Sequence, residues 1–418
     1  MADLNQSPHK VKRKKLTNKY GYIMIDKKQF PDMPQKACLA PLTSVMIGAG
    51  GSYRPCCWYR DEDDPSHKDA HLHKMPIKEY REKILFPMYE EMKKGNYPTA
   101  CKRCALPGRK RFDVYEPYRQ YPGIDVVERS KDVRALDLRF SNLCNLGCVM
   151  CNAGSSDQFW KQEDRGLYHP ESVYWFGKRK KPEGKSGWHN IPGVIESIYE
   201  LLPTVDVIYM TGGEPSINPG VHKIMEHCIE KGYNKKIRLE FNTNCTNSNK
   251  KFLDLLAGFQ TDLMLSIDAV GELNDIIRYP SNFPTLEKNT RAMIENQTKE
   301  SRAQFAPSVH VYNFFKLHET HNWMESIKQE YPDKVKDPNW NIIFQPFYMN
   351  IGNIPENLFN EYLDKHGNEL PDYLVKRLKS KKHNEKNDGY DWEKIKDEGR
   401  KWFASRKADV TITGVPGI

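Results

Sequence analysis

The sequence predicts an α/β fold, an open, partial (β/α)6 barrel, on three observations. From Val133 onward, strand-like apolar runs alternate with amphipathic helical stretches, the order expected of a mainly parallel sheet with helical crossovers. The strand-like runs number six, too few for the eight strands of a closed barrel. Cysteine-bearing and glycine-bearing segments follow the first two runs, and barrel folds gather reactive groups at the C-terminal ends of their strands.

The strand candidates are RALDLRF (134–140), VDVIYM (205–210), IRLEFN (237–242), DLMLSI (262–267), SVHVYNFF (308–315) and NIIFQPF (341–347). Helical stretches lie between them at 191–202, 218–232, 249–259, 283–297 and 318–331. In the second, Val221, Ile224, Met225, Cys228 and Ile229 recur at helical spacing and Gly232 supplies a stop, so Cys228 is expected in the core.

Before residue 130 the texture differs. LTSVMIGAGGSYRPCCWYR (42–60) reads as a hairpin turning at Gly48, Gly50 and Gly51; a phosphate loop would need a following Lys-Ser/Thr and a helix start. In the stretch 75–104, Ile77, Tyr80, Ile84, Leu85, Met88 and Met92 mark the buried stripe of a helix kinked at Pro87. After Pro346 the chain is charged, with helices expected at 356–366 and 391–406. The expected organisation is a basic N-terminal segment (1–37), a small cysteine-bearing domain (38–130), the partial barrel (131–350) and a C-terminal helical extension (351–418).

A chain of 418 residues can bury a sizeable core, so it is no small stapled scaffold. Of its ten cysteines, seven cluster in two pairs and a triplet instead of spreading as a disulfide ladder, which points to a reducing compartment. The opening MADLNQSPHKVKRKKLTNK has no apolar signal region, and no run approaches the roughly 18 apolar residues of a membrane span. With a mean hydropathy of −0.76, a cytoplasmic monomer with no membrane partner is expected. The net charge of +9 gathers in HKVKRKK (9–15), KRKKPEGK (178–185) and VKRLKSKKHNEK (375–386), runs that suit solvated loops or a grip on phosphate.

The chemistry concentrates in SNLCNLGCVMC (141–151). Three thiols in one loop cannot all pair as disulfides. Thiolates are soft ligands for zinc and iron-sulfur clusters, and three of them leave one coordination position open, whereas a structural zinc site is closed by four.

The combination of Cys144-x3-Cys148-x2-Cys151 after a first strand with Gly212-Gly213-Glu214-Pro215 after a second resembles the radical SAM enzyme superfamily, over about residues 133–350. The resemblance implies a 4Fe-4S cluster held by Cys144, Cys148 and Cys151, with S-adenosylmethionine on its fourth iron. One electron passed to the sulfonium then yields methionine and a 5′-deoxyadenosyl radical, which takes a hydrogen from substrate. It places Gly212, Gly213, Glu214 and Pro215 at the methionine end of the cofactor, and Asn244, Ser266 and Arg278 at its ribose and carboxylate. An arginine suits a carboxylate by its fixed fork of donors. Relatives have Thr-Asn-Gly where this chain has Thr243-Asn244-Cys245, and Cys245 is either a small loop residue or a thiol facing substrate. Tyr209, Tyr279 and Cys245 lie near the expected mouth by position.

Cys38, Gly51-x4-Cys56 and Cys101-x2-Cys104 are similar to the opening of SPASM and twitch auxiliary-cluster domains. That resemblance implies a second 4Fe-4S cluster on Cys38, Cys56, Cys101 and Cys104, with Cys57 as the alternative to Cys56. Such domains usually follow the radical core, and here the cysteines precede it. A four-cysteine zinc site is the other reading of the quartet. Three functions stay open: radical modification of a peptide or protein, favoured because auxiliary-cluster relatives often act on peptides; radical modification of a nucleotide or RNA, favoured by the basic runs; and a non-catalytic metal-stabilised binding protein. Either enzyme would draw electrons from a reductant such as flavodoxin or ferredoxin.

Overall fold

The computed structural model describes residues 37–60, 64, 67–104, 124–170, 173, 187–380 and 391–418. The basic runs at 9–15 and 178–185, and the end of the run at 375–386, lie outside the described residues. The chain forms two compact units, a smaller one ending at Met46 and resuming over Ser52–Ala135, and a larger one of Ile47–Gly51 and Leu136–Ile418. Among the described residues, no helix is long and apolar enough to cross a membrane.

The smaller unit contains the short strands β1 (Ser44–Ile47, its last residue in the larger unit) and β2 (Tyr53–Arg54). The glycine turn closes as expected, with Gly51 N–H donating to the Gly48 carbonyl at 2.8 Å and Gly51 at φ +94°. The helix expected across Pro87 is interrupted earlier: Ile77–Tyr80 is α-helical, Arg81–Leu85 makes a wider π turn, and Phe86–Lys93 resumes. Proline has no N–H to offer the preceding turn, and the π turn directly before it absorbs that mismatch.

In the larger unit, β3 (Ala135–Leu138), β4 (Val207–Met210), β5 (Arg238–Thr243), β6 (Gln260–Leu265), β7 (Arg302–Phe305) and β9 (Val335–Lys336) follow one another across the sheet. The pairs from β4 to β9 are parallel. A separate parallel pair joins β8 (Ser308–Val309) to β10 (Asn341–Ile342). This is the mostly parallel α/β sheet of a partial barrel. Two expected strands are corrected: SVHVYNFF supplies only the two residues of β8 before turning helical at Val311–Phe314, and NIIFQPF supplies only β10 before a 3-10 turn at Phe347–Met349. The fifth and sixth strands of the sheet come instead from β7 and β9.

Crossover helices occupy Val194–Tyr199, Pro219–Glu230, Lys250–Ala257, Phe283–Glu295 and Leu317–Glu330. Asparagines start three of them: Asn218 accepts from Gly220 N–H at 2.9 Å, Asn249 from Phe252 N–H at 2.9 Å and Asn282 from Thr285 N–H at 3.1 Å. Cys228 is fully buried in the second, as its spacing predicts. Leu239, Phe241, Leu263, Leu265, Ala303 and Phe305 are all buried, which gives the sheet its apolar face. The strands' C-terminal ends then release four loops, at 139–157, 211–218, 244–249 and 266–270, which carry this unit's predicted site residues except Arg278.

Candidate active site

The loop after β3 is built around its three cysteines. Cys144 and Cys148 are 8% exposed and pack with Leu146, with Met150 and Cys151 against them. Backbone bonds shape it: Cys144 N–H reaches the Asp157 carboxylate at 3.1 Å, Cys151 N–H the Cys148 carbonyl at 2.8 Å, and the Gln158 amide the Cys144 carbonyl at 3.0 Å. From the loop before the next helix, the Tyr279 carbonyl takes Gly147 N–H at 2.7 Å, and the Ile277 carbonyl takes Val149 N–H at 2.8 Å. Burial, and for Cys144 the nearby Cys148, pushes the Cys144 and Cys148 thiols up to about 12; burial and Cys144 push Cys151 to about 11. No disulfide joins any of the ten cysteines.

The glycine pair after β4 is held against this loop. A Cβ on Gly213 would lie 2.3 Å from the Leu143 carbonyl oxygen, and one on Gly212 would lie 2.8 Å from the Arg139 side chain. Both glycines have positive φ, +85° and +61°. Glu214, 1% exposed, is bound by the protein itself: its carboxylate accepts from Ser216 N–H at 3.0 Å, Thr243 O–H at 2.8 Å and Asn244 N–H at 2.7 Å. Burial raises its pKa while those donors oppose the rise. Glu214 therefore ties the β4 loop to the end of β5. Pro215, buried, starts the short 3-10 turn that follows.

Asn244 reaches back to the cysteine loop, its amide 2.9 Å from Asn145 Oδ1 and 3.9 Å from Cys144 Sγ. Arg278, directly after the helix Gly271–Ile277, pairs with Asp268 at 2.7 Å and places Nη1 3.9 Å from Cys148 Sγ. Burial opposes its charge, but Asp268 and the Cys148 thiol raise its pKa above the ordinary arginine value. Ser266, half-buried, follows β6 and donates its N–H to the Thr243 carbonyl at 2.9 Å. Thus Cys144, Cys148, Cys151, Gly213, Glu214, Asn244 and Arg278 form one contiguous constellation. Cys245 sits inside the protein at φ +61°, where relatives' glycine would be unstrained.

Sequence reasoning missed Asn145, Asp157, Gln158 and Gln162, which hold the loop and have no spacing signal. Asp268, two residues after Ser266, holds the arginine. Among the described residues, no three His, Cys, Asp or Glu side chains converge on a single metal ion. Thiolates of an iron-sulfur cluster bind separate irons, so they surround a volume instead of meeting at a point. Two buried thiols and a half-buried third on one loop, a cation beside one of them and an asparagine amide beside another suit that anionic, compact object.

In the smaller unit, burial pushes the Cys56 and Cys101 thiols well up, and Cys38 and Cys104 push both further. In the backbone, Cys104 N–H donates to the Cys101 carbonyl at 3.1 Å. Cys56 acts on Cys101, and Cys57 acts on Cys56. Beside Cys101 runs a buried chain: Tyr59 O–H donates to Asp64, while His67 bridges the hydroxyls of Tyr59, at 3.1 Å, and Tyr80, at 3.2 Å.

Residues 138–323 match the Radical SAM superfamily. An uncharacterized protein of Methanocaldococcus jannaschii is 26% identical over 161 residues, 37% of this chain and 47% of that protein. Among solved structures, Streptococcus suis SuiB is 14% identical with a TM-score of 0.37, over 60% of this chain and 50% of that one. Native anSMEcpe with bound AdoMet is 16% identical with a TM-score of 0.34, over 51% of this chain and 52% of that one. The chain spans about half the length of each.

Proposed function

We propose that this chain, an enzyme carrying a radical SAM superfamily domain over residues 138–323, modifies a peptide or protein by hydrogen abstraction. The observation that carries the reaction class is the loop of buried Cys144 and Cys148 and half-buried Cys151 at the C-terminal edge of the sheet, backed by Arg278 and Asn244. When bound, a 4Fe-4S cluster with S-adenosylmethionine on its open iron supplies the 5′-deoxyadenosyl radical.

The chain's own residues hold and orient. Cys144, Cys148 and Cys151 are the cluster ligands. Gly212, Gly213 and Pro215 set the backbone that faces the methionine end, and Glu214 fixes that backbone from behind through Ser216, Thr243 and Asn244. Asn244 and Ser266 would offer polar groups to the ribose, and Arg278, paired with Asp268, would meet the cofactor's carboxylate. In the smaller unit, Cys38, Cys56, Cys101 and Cys104 would hold a second 4Fe-4S cluster in a twitch-like domain. Four thiolates would leave no open iron, so that cluster would supply electron transfer or shape the substrate site. A peptide substrate is favoured because proteins that this cysteine pattern resembles often act on peptides. The enzyme works as a monomer in a reducing cytoplasm, with flavodoxin or ferredoxin as electron donor.

Anaerobic reconstitution should load about eight irons per chain, and reduction in the presence of S-adenosylmethionine should release 5′-deoxyadenosine. Cys148→Ala should abolish that release, and its persistence would overturn the assignment. Changing Cys101 and Cys104 together to Ala should remove about half the iron while the remaining cluster keeps its signal. Zinc in place of iron at the quartet would remove the electron-transfer role.

A further inference from the structure

Parallel sheets are ordinarily covered by apolar packing on both faces, and one face of this sheet is not. In β5, Leu239, Phe241 and Thr243 are buried while Arg238, Glu240 and Asn242 are half-buried. The pattern repeats with Asp262 and Met264 in β6 and with Arg302 and Gln304 in β7. The register lines these alternates into rows. Tyr209 lies beside Glu240, Glu240 beside Asp262 and Asp262 beside Arg302; further along the strands, Asn242 lies beside Met264, Met264 beside Gln304 and Gln304 beside Lys336. A cavity of about 400 Å³ covers both rows and is completed by Asn339 and Asn341. That size lies within the range of small-ligand sites.

The lining defines what would fit. Asn242, Gln304, Asn339 and Asn341 bring four carboxamides; Gln304 Nε2 donates to the Asp337 carbonyl at 2.7 Å and Asn341 Nδ2 to the Asn339 carbonyl at 3.2 Å, and each amide still has a second N–H and an acceptor oxygen, the pairing that peptide groups require. The Asn242 amide donates to Tyr209 O–H at 2.8 Å, which leaves its buried Oδ1 with no donor. Nucleobase sites rely on stacking platforms, and Tyr209 is the sole aromatic ring in the lining among the described residues. The charges are unequal: Arg238, Arg302 and Lys336 face Glu240 and Asp262. Asp262 is bridged by both Arg238 and Lys336. Arg302 donates to the Lys299 and Ser301 carbonyls and has no carboxylate partner among the described residues. Burial, with Arg238 and Arg302 nearby, holds the Lys336 pKa below its ordinary value, consistent with a local excess of positive charge.

We propose that this cavity is the substrate groove and takes an extended peptide segment whose backbone meets the carboxamide row and whose one acidic side chain reaches down to Arg302. Two residues of strand separate Arg302 from Gln304, about 7 Å, a depth covered by a glutamate side chain of about 5 Å together with one hydrogen bond of about 2.8 Å to the guanidinium. The assignment rests on the reading of the chain as a peptide-modifying radical enzyme and supplies the substrate feature that reading lacks.

The test is binding of random capped hexapeptides to the reconstituted full chain, compared with the Arg302→Gln and Arg302→Lys variants. One position should be enriched in Glu or Asp, with Glu preferred to Gln by about tenfold, equivalent to roughly 1.4 kcal/mol. R302Q should bring that preference to parity and R302K should retain part of it. Should R302Q bind no iron, Lys336→Gln at the exposed rim replaces it and should at least halve the preference. Enrichment without an acidic position, an unchanged preference in the variants, no enrichment over R302Q, or displacement of the peptides by 5′-UMP at equal concentration would each overturn the proposal. Release of 5′-deoxyadenosine is read separately: a chain that releases it without acidic preference loses this inference alone, and one that releases none loses the reaction class.

Discussion

Arg278 joins two loops of the site, with Nε 2.7 Å from the Asp268 carboxylate and Nη1 3.9 Å from Cys148 Sγ. Asp268 also accepts Ser308 N–H at 2.7 Å, so the ion pair is tied to the backbone at the start of β8. Removing one partner of a buried pair leaves the other charge uncompensated, which costs about 3–5 kcal/mol. Arg278→Met should therefore lower stability by that order in chemical denaturation and reduce iron retention. Asp268→Asn added to R278M should recover a substantial part of the loss. Equal stability of the single and double variants would show that the pairing is not what the site requires.

Gly147 lies directly against Gln162. A Cβ at position 147 would come 2.7 Å from the Gln162 amide, which itself reaches the Tyr279 carbonyl at 3.3 Å, the same carbonyl that holds Gly147 N–H. The other end of Gln162 accepts from Arg406, whose guanidinium carbon lies 3.3 Å from the Trp402 ring centroid. The C-terminal helix Trp392–Ser405 and its last neighbour thereby brace the cysteine loop from below. Gly147→Ala should displace Gln162 and lower the iron bound on reconstitution. Gln162→Ala added to G147A opens space for the new methyl, so the double variant should bind more iron than G147A alone. Wild-type iron content in G147A would show that the loop does not depend on this contact.

The two glycines after β4 are not equivalent. At Gly213 a Cβ would meet backbone, the Leu143 carbonyl at 2.3 Å, whereas at Gly212 it would meet a side chain, Arg139, at 2.8 Å. The atom met at Gly212 is Arg139 Cβ, which is as fixed by its backbone as the Leu143 carbonyl is, so in both cases the backbone must shift, and further at Gly213, where the overlap is deeper. Both substitutions also carry the left-handed penalty of about 1–2 kcal/mol, so each should destabilise the chain by more than that, Gly213→Ala by the larger amount. Thermal unfolding of the two variants checks the order, and G212A proving the more damaging would contradict it.

The first four strands were legible because each contributes a compact apolar run whose buried alternates face the helices. β7 was not, and the reason is physical. Its sequence, Arg302-Ala303-Gln304-Phe305, puts a charge and a carboxamide on the face that looks into the cavity, so the apolar signal is halved. The more strand-like SVHVYNFF turns helical after Val309 because Asn313 folds back to accept His310 N–H at 2.8 Å. The cysteine triplet and the glycine pair announced themselves by spacing. Gln162 and Arg406 did not, since they reach the loop from a later helix and from the C-terminal extension, and only the fold brings them there.

Two histidines, the fully buried His310 and the half-buried His169, contribute to the acid limit. Burial, aided by Arg406, lowers the His169 pKa to about 3; burial lowers His310 to about 4, with Asp268 opposing and Arg278 assisting. Both fold as neutral rings, while the unfolded chain takes up protons near pH 6.5. The unfolded state therefore binds more protons between about pH 6.5 and the folded values, and stability must fall as pH drops through that window. Above pH 6.5 neither ring contributes a slope. His169 packs between Phe159 and Trp402, so His169→Phe keeps an aromatic ring there while removing the titration and the 3.5 Å contact with Arg406, a loss that is the same at every pH at which the ring is neutral. H169F should flatten the decline in unfolding free energy between pH 4 and 6 by up to about 1.4 kcal/mol per pH unit. Urea melts at successive pH values measure that slope, and an identical slope in wild type and H169F would place the acid sensitivity elsewhere.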